Sequence, residues 1–226
     1  MKVARSLDEV VFDKNTVVTV GTFDGVHRGH VAIMERLKDR AAARGARSVV
    51  VTFDPHPKEV LGAGPVYLLA SLDERLEAFR GVGVDLAFVV RFTYEFSRQT
   101  STEFFERYIV RGLGVSEVIV GHDHMFGRDR EAGFEELQAM GRQDDFTASA
   151  VEAITVEGKI VSSSAIRKLL ASGTVDEAAL DRGVAPCDDF YRYACGGWKK
   201  ATSSGLRIFR WPRHKRRRPP PPPAHH

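Results

Sequence analysis

The sequence predicts a doubly wound α/β domain built on a parallel sheet. Three observations carry this. Short runs rich in valine, isoleucine and threonine recur at residues 16–21, 47–53, 84–90 and 115–121. They read as near-continuous apolar strands rather than alternating ones, as expected of strands covered on both faces. The segments between them have helical spacing, so the connections are right-handed crossovers that leave the strands parallel. The stretches that carry candidate chemistry follow residues Val20, Phe53 and Val120. All three therefore gather on the rim beyond the carboxyl ends of the strands, where such folds hold their ligands.

Each element has its own warrant. Residues 16–21 are a β-branched run closed by glycine. Residues 31–44 place Ile33, Met34, Leu37 and Ala41 on one helical face. Residues 47–53 form the second strand, stopped by Asp54-Pro-His-Pro57. Ser71 with Glu74 three positions on is a capping-box pattern, and Leu72, Leu76 and Phe79 supply the apolar face of the helix it opens. The third strand covers 84–90. Thr100 and Glu103 repeat the capping pattern ahead of Phe104, Phe105 and Tyr108. After the fourth strand come a helix over about 132–140, a β-rich stretch over 146–161, and short helices over 163–171 and 175–180.

Charge divides the chain in two. Residues 1–183 carry 23 Lys/Arg against 28 Asp/Glu, a net of −5, while residues 184–226 carry 10 against 2, a net of +8. The isoelectric point near 8.9 belongs to the tail. The body thus gives no electrostatic sign of nucleic-acid binding. Both cysteines, Cys187 and Cys195, lie in the tail, and a cysteine-free body fits a reducing cytoplasm. The N-terminus lacks the apolar core of a signal peptide, and no apolar run is long enough to cross a bilayer, so no membrane partner is expected. No residue pattern specifies an oligomeric state.

The most informative stretch is Gly21-Thr-Phe-Asp-Gly-Val-His-Arg-Gly-His30. Gly21 and Gly25 allow a tight turn after the first strand, and Gly29 allows close approach to the helix start. His27 and His30 bracket that start, where free N–H groups and the helix dipole favour phosphate. Two imidazoles there can hydrogen-bond triphosphate oxygens during an in-line displacement. The motif is neither a P-loop nor the Gly-x-Gly-x-x-Gly fingerprint. Far along the chain, Val161-Ser-Ser-Ser-Ala-Ile-Arg167 offers a second anion site. Ser163 or Ser164 caps the helix, and Arg167 projects from its first turn.

Together these stretches resemble the adenylyltransferase module of bacterial bifunctional riboflavin kinase/FAD synthetases. Thr52-Phe-Asp-Pro-His-Pro57, Leu68-Leu-Ala-Ser-Leu-Asp-Glu-Arg75 and Val120-Gly-His-Asp-His-Met-Phe-Gly127 complete the match, in the same order and spacing over residues ~15 to ~182. The resemblance implies a Rossmann-like fold of the nucleotidylyltransferase superfamily and the reaction ATP + FMN to FAD + diphosphate. It implies that His27 and His30 contact the ATP phosphates and stabilise the transition state. Ser163, Ser164 and Arg167 hold the β- and γ-phosphates. Gly21, Phe23, Asp24 and Gly29 line the nucleotide cleft. Asp54 and His56 lie on the flavin side, and Asp123 lies near the reacting phosphates. Mg²⁺ arrives with ATP, held by phosphate oxygens and water rather than by a protein metal site. His122 and His124 flank Asp123 at metal-like spacing, but no third ligand accompanies them.

Three features set the chain apart. His124 and Met125 replace the aromatic and polar residues usual before Phe126-Gly127, and Ser164 stands where threonine is common. No riboflavin kinase signature follows the body, so kinase activity is not expected. Instead Ala185-Pro-Cys-Asp-Asp-Phe-Tyr-Arg-Tyr-Ala-Cys-Gly-Gly-Trp198 resembles a short segment near the start of neprilysin-type endopeptidases. No His-Glu-x-x-His accompanies it, so peptidase activity does not follow. Residues 184–226, ending in a basic and then a polyproline run, are expected to be a disordered tail unrelated to the domain at 1–183. Only this tail offers a nucleic-acid contact.

Two rival readings remain. A different nucleotidylyltransferase, acting on phosphopantetheine or an alcohol phosphate, is disfavoured by the loop at 52–57 and by Phe126-Gly127. A truncated protein that binds nucleotide or flavin without turnover is told apart by an activity assay.

Overall fold

The computed structural model describes residues 1–62, 67–121, 133–156 and 158–171. Six strands form one sheet: β1 (Lys2–Ala4), β2 (Thr16–Val20), β3 (Arg47–Asp54), β4 (Leu86–Arg91), β5 (Glu117–Gly121) and β6 (Thr147–Val151). Their order is β1-β4-β3-β2-β5-β6, and every neighbouring pair is parallel. After β2 the chain builds outward through β3 and β4, then returns to the other side of β2 for β5 and β6. Connections thus leave β2 and β5 in opposite directions. This opens a crevice above their carboxyl ends, the switch point at which such sheets bind ligands.

The pleat sends alternate residues to opposite faces. Val17, Val50, Ala87, Val89 and Ile119 meet Met34, Leu37 and Ala41 of α1 (Arg28–Arg44) and Leu76 and Phe79 of α2, here Leu72–Val82. Val18, Val20, Val49, Val51, Phe88, Val118 and Val120 face the opposite way. There they meet Phe104 of α3 (Ser101–Phe104), Phe105, Ile109 and Leu113 of the π-type helical segment that continues it (Phe105–Leu113), and Leu137 of α4, here Phe134–Asp144. Two apolar layers on one sheet confirm the doubly wound α/β architecture. Both predicted capping boxes form. Ser71 Oγ accepts from Glu74 N and the Glu74 carboxylate accepts from Ser71 N, and Thr100 and Glu103 repeat the exchange. Each cap contributes about 1 kcal/mol to its helix.

Several boundaries differ from expectation. α1 begins at Arg28, three residues early, because His27 already serves as its N-cap. The stretch over 146–161 resolves into β6 and a separate antiparallel hairpin, β7 (Thr155–Val156) with β8 (Lys159–Ile160). The edge strand β1 escapes a sequence reading because three residues carry too little pattern. Two four-residue helices escape it for the same reason: α5 (Pro57–Val60) and α6 (Tyr94–Ser97). The last described element is α7 (Ser163–Ala171), as predicted. The helix expected over 175–180 and the tail from 184 lie outside the described residues. Among those described, no helix is long and apolar enough to cross a membrane.

Candidate active site

The site begins where β2 ends. To pass from strand to helix the chain uses left-handed conformations at Phe23 (φ 50°), Gly25 (φ 81°) and Val26 (φ 35°). A Cβ at Gly25 would lie 2.8 Å from Leu69 Cβ, so both conformation and space require glycine there. The turn drives the Phe23 ring inward. It meets Phe79 edge-on at 5.6 Å and His30 edge-on at 5.2 Å. Gly21 lies beneath the same ring, 3.1 Å from where its Cβ would be.

His27 caps the backbone of α1 without a side-chain capping bond, and His30 sits one turn later. Their rings stack, centroids 3.6 Å apart and planes 20° apart. Burial, with the neighbouring His27 second, pushes the His30 pKa down to about 3. His30 is therefore neutral near pH 7. Its Nδ1 is buried with no hydrogen-bond partner among the described residues. A polar atom left in that state is costly. At a helix start, beside a second imidazole, a phosphate oxygen would satisfy it. A Cβ on Gly29 would lie 3.3 Å from the His27 ring and 3.7 Å from the Val161 carbonyl. The lead-in to α7 thus comes close to the start of α1.

α7 supplies the second jaw, with one correction to its cap. Ser162, not Ser163 or Ser164, holds the helix start, its Oγ accepting from Ala165 N at 3.2 Å. The helix opens at Ser163, so the residue before it has the reach to the third helical amide. Ser163 Oγ instead donates to the Asp24 carbonyl at 2.9 Å, and Ser164 is exposed. Arg167 donates from Nε to the Tyr67 carbonyl at 2.9 Å and pairs through Nη2 with the Asp24 carboxylate.

Asp24 is the knot of the site. Its Oδ1 accepts from the amides of Leu69 and Ala70, both at 2.9 Å, and its Oδ2 holds Arg167. It is buried, so it binds three segments of chain to one another rather than lining an open cleft.

His56 is also buried, and its Nδ1 accepts from Lys58 N to cap α5 while Glu59 accepts from His56 N. Burial lowers its pKa against the opposing pull of Asp24. One face of the imidazole is thus committed to the loop. Asp54 is 42% exposed and lies 3.4 Å from Arg75 Nη2.

Arg75 carries no assigned role in the motif read from the sequence, yet it lies at the centre of the rim. It falls between Leu72 and Phe79 on the apolar face of α2, and a charge on a buried helical face was the available signal. Its pKa is lowered by burial, which Asp54 and Asp24 oppose. Asp123, His122, His124 and Phe126-Gly127 lie outside the described residues. Among the described residues no group of three His, Cys, Asp or Glu side chains could hold a metal.

The family pattern described as FAD synthetase matches residues 10–165. The chain belongs to the FAD synthetase family. A bifunctional riboflavin kinase/FMN adenylyltransferase of Pseudomonas fluorescens is 38% identical over 165 residues, 73% of this chain and 53% of that protein. Its counterpart in Listeria monocytogenes is 36% identical over 170 residues, 74% of this chain and 53% of that protein. This FAD synthetase family chain therefore spans about half the length of the curated relatives it matches. Among solved structures, a chain described as a macrolide-efflux protein from Streptococcus pneumoniae aligns with a TM-score of 0.66 at 25% identity. It covers 78% of this chain and 58% of that one, and agrees with the fold described above.

Proposed function

We propose that this chain transfers the adenylyl group of ATP to FMN, giving FAD and diphosphate. The observation that carries the proposal is the stacked pair His27–His30 at the start of α1, with a buried His30 nitrogen that has no hydrogen-bond partner among the described residues. Membership of the FAD synthetase family, through a match over residues 10–165, supports the same reading.

In this reading the ATP phosphates lie between the starts of α1 and α7. A phosphate oxygen of FMN attacks the α-phosphorus and forms the new P–O bond. The bond from the α-phosphorus to the bridging oxygen breaks, and diphosphate leaves. Charge builds on the oxygens of the attacked phosphorus, where the helix N–H groups and a neutral His30 donate. The neutral imidazole still carries one N–H, and that is the donor this task requires. Ser164 and Arg167 hold the departing diphosphate. Gly21, Phe23 and Gly29 are assigned to the nucleotide side, where they let the turn and the helix start pack closely, and Asp24 sets the spacing of the two jaws. Asp54, His56 and Asp123 are assigned to the flavin and phosphate side.

The described donors are imidazoles, hydroxyls and amides, which suit phosphate oxygens better than a hard cation. Both oxygens of Asp24 are already committed. Mg²⁺ would thus enter on the triphosphate, held by its oxygens and water, and neutralise phosphate charge. A cytoplasmic setting follows from these soluble substrates. Residues 1–183 are the catalytic domain in this proposal, and residues 184–226 take no part.

The test is direct. With FMN, ATP and Mg²⁺, chromatography of the flavins should show FAD; with riboflavin in place of FMN, no FMN should form. ATP binding without FAD formation would overturn the assignment.

A further inference from the structure

We propose that Arg75 is a positioning residue for His30, acting through the Thr22 carbonyl and the Phe23 ring. The inference rests on the reading above only in placing His30 at the reacting phosphate.

The Arg75 side chain is 2% exposed, yet it lies among main-chain carbonyls rather than against a tight counter-ion. Its Nη1 donates to the Thr22 carbonyl at 2.9 Å, to Thr52 Oγ1 at 3.0 Å and to the Phe53 carbonyl at 3.1 Å. Thr52 Oγ1 in turn donates to the Thr22 carbonyl at 3.1 Å. One guanidinium thus ties the loop after β2 to the loop after β3. Its charge faces Asp54 at 3.4 Å, and that carboxylate is partly exposed to water. Its Nε is buried with no hydrogen-bond partner among the described residues. As a stabilising ion pair this is poor, since its counter-charge stands 3.4 Å away and is part-exposed to water.

As a geometric device it is well placed. Thr22 directly precedes Phe23, which holds φ at 50° without being glycine. Such a conformation persists only where its surroundings over-determine it. Two donors on the preceding carbonyl, Arg75 and Thr52, do so. The Phe23 ring is then wedged between Phe79 and His30, 5.2 Å from the imidazole. Arg75 touches neither histidine. It fixes the peptide that aims the ring against His30, and it does so from α2, the helix that also carries Phe79.

The test uses two variants of the full chain, Arg75→Met and Arg75→Lys, and two readouts. In the native protein the edge-on rings of Phe23 and His30, centroids 5.2 Å apart, should give a nuclear Overhauser contact. Arg75→Met should weaken or abolish it and lower kcat at least tenfold, with KM for ATP within threefold of native. Arg75→Lys, which keeps the charge but not the fork of donors, should recover part of both. A folded Arg75→Met protein that keeps the ring contact overturns the proposal, whatever its rate. If Arg75→Met does not fold, Arg75→Lys decides: native ring contact and native kcat overturn it, a weakened contact with lowered kcat supports it. Absence of FAD formation by the native chain would defeat the functional reading alone, because the ring contact is read without turnover.

Discussion

Asp24 holds Arg167 across 143 positions of sequence, one carboxylate joining the turn after β2 to the first turns of α7. Asp24 is 2% exposed in its side chain and Arg167 21%, so the pair is shielded from water. Asp24→Asn keeps the shape but leaves a guanidinium facing a neutral amide. Breaking one side of such a pair costs about 3–5 kcal/mol. Arg167→Met removes the cation and leaves the buried carboxylate its two amide donors, so it should cost less. The double variant should cost clearly less than the two singles added together. Urea denaturation of the four proteins measures this, and strict additivity would show that the pair does not act as a clamp.

Turnover should depend on His30 far more than stability does. His30→Ala removes a donor aimed at the site, a change worth about 10²–10³ in kcat where such donors face developing charge. The circular dichroism spectrum should stay native. A variant that keeps native kcat would remove His30 from the mechanism.

Two glycines separate conformation from space. Gly45 ends α1 at φ 58° with nothing within 4 Å of where an alanine methyl would sit, whereas at Gly25 Leu69 stands 2.8 Å away. Gly45→Ala should cost about 1 kcal/mol, the ordinary left-handed penalty. Gly25→Ala should cost roughly twice that or more, since overpacking adds to it. Thermal unfolding of both compares them, and equal shifts would mean that the Leu69 contact yields freely.

The strands, both capping boxes and the histidine turn are legible because each is a local pattern: a β-branched run, a serine or threonine followed three residues later by glutamate, glycines ahead of a helix. What is not legible is long-range. Nothing near Asp24 in the sequence points to Leu69, Ala70 or Arg167, so it reads as a cleft residue rather than a knot. Ser162 escapes notice as the cap because three serines in a row satisfy the same pattern in more than one register. Arg75 interrupts an apolar face, but only the paths of β2 and β3 reveal which carbonyls it serves. His56 reads as a loop residue between prolines, and its capping role depends on a four-residue helix too short to register as a period.

At the other end of the sheet, Glu117 offers a control. It is 1% exposed and takes Arg40 through both oxygens at 2.9 Å, with Arg44 at 3.1 Å and Ser149 Oγ at 3.2 Å. The bonds from Glu117 hold the Arg40 pKa above its usual value. Glu117 opens β5, at the end of the strand away from the rim. Glu117→Gln should therefore destabilise the fold by about 3 kcal/mol while KM for ATP and FMN stays native. A changed KM would mean that the two ends of the sheet are coupled.

The depressed pKa of His30 gives stability a pH dependence of fixed sign. In the unfolded chain a histidine titrates near 6.5, in the fold His30 near 3. Between those values the unfolded state binds a proton that the native state refuses, so stability rises with pH. The contribution is complete above about 6.5 and is lost as pH falls toward 3. At pH 5 the shift alone corresponds to about 2 kcal/mol, and the partial exposure of the ring brings this to about 1–2 kcal/mol. His56, lowered by burial in the same direction, adds to the slope. His30→Gln removes only the first part. Urea midpoints at pH 7, 6 and 5 should fall more steeply for the native chain than for His30→Gln, with the gap opening below pH 6.5. Parallel profiles would show that His30 titrates alike in the folded and unfolded states, and that its ring is not held out of water by Phe23 and His27.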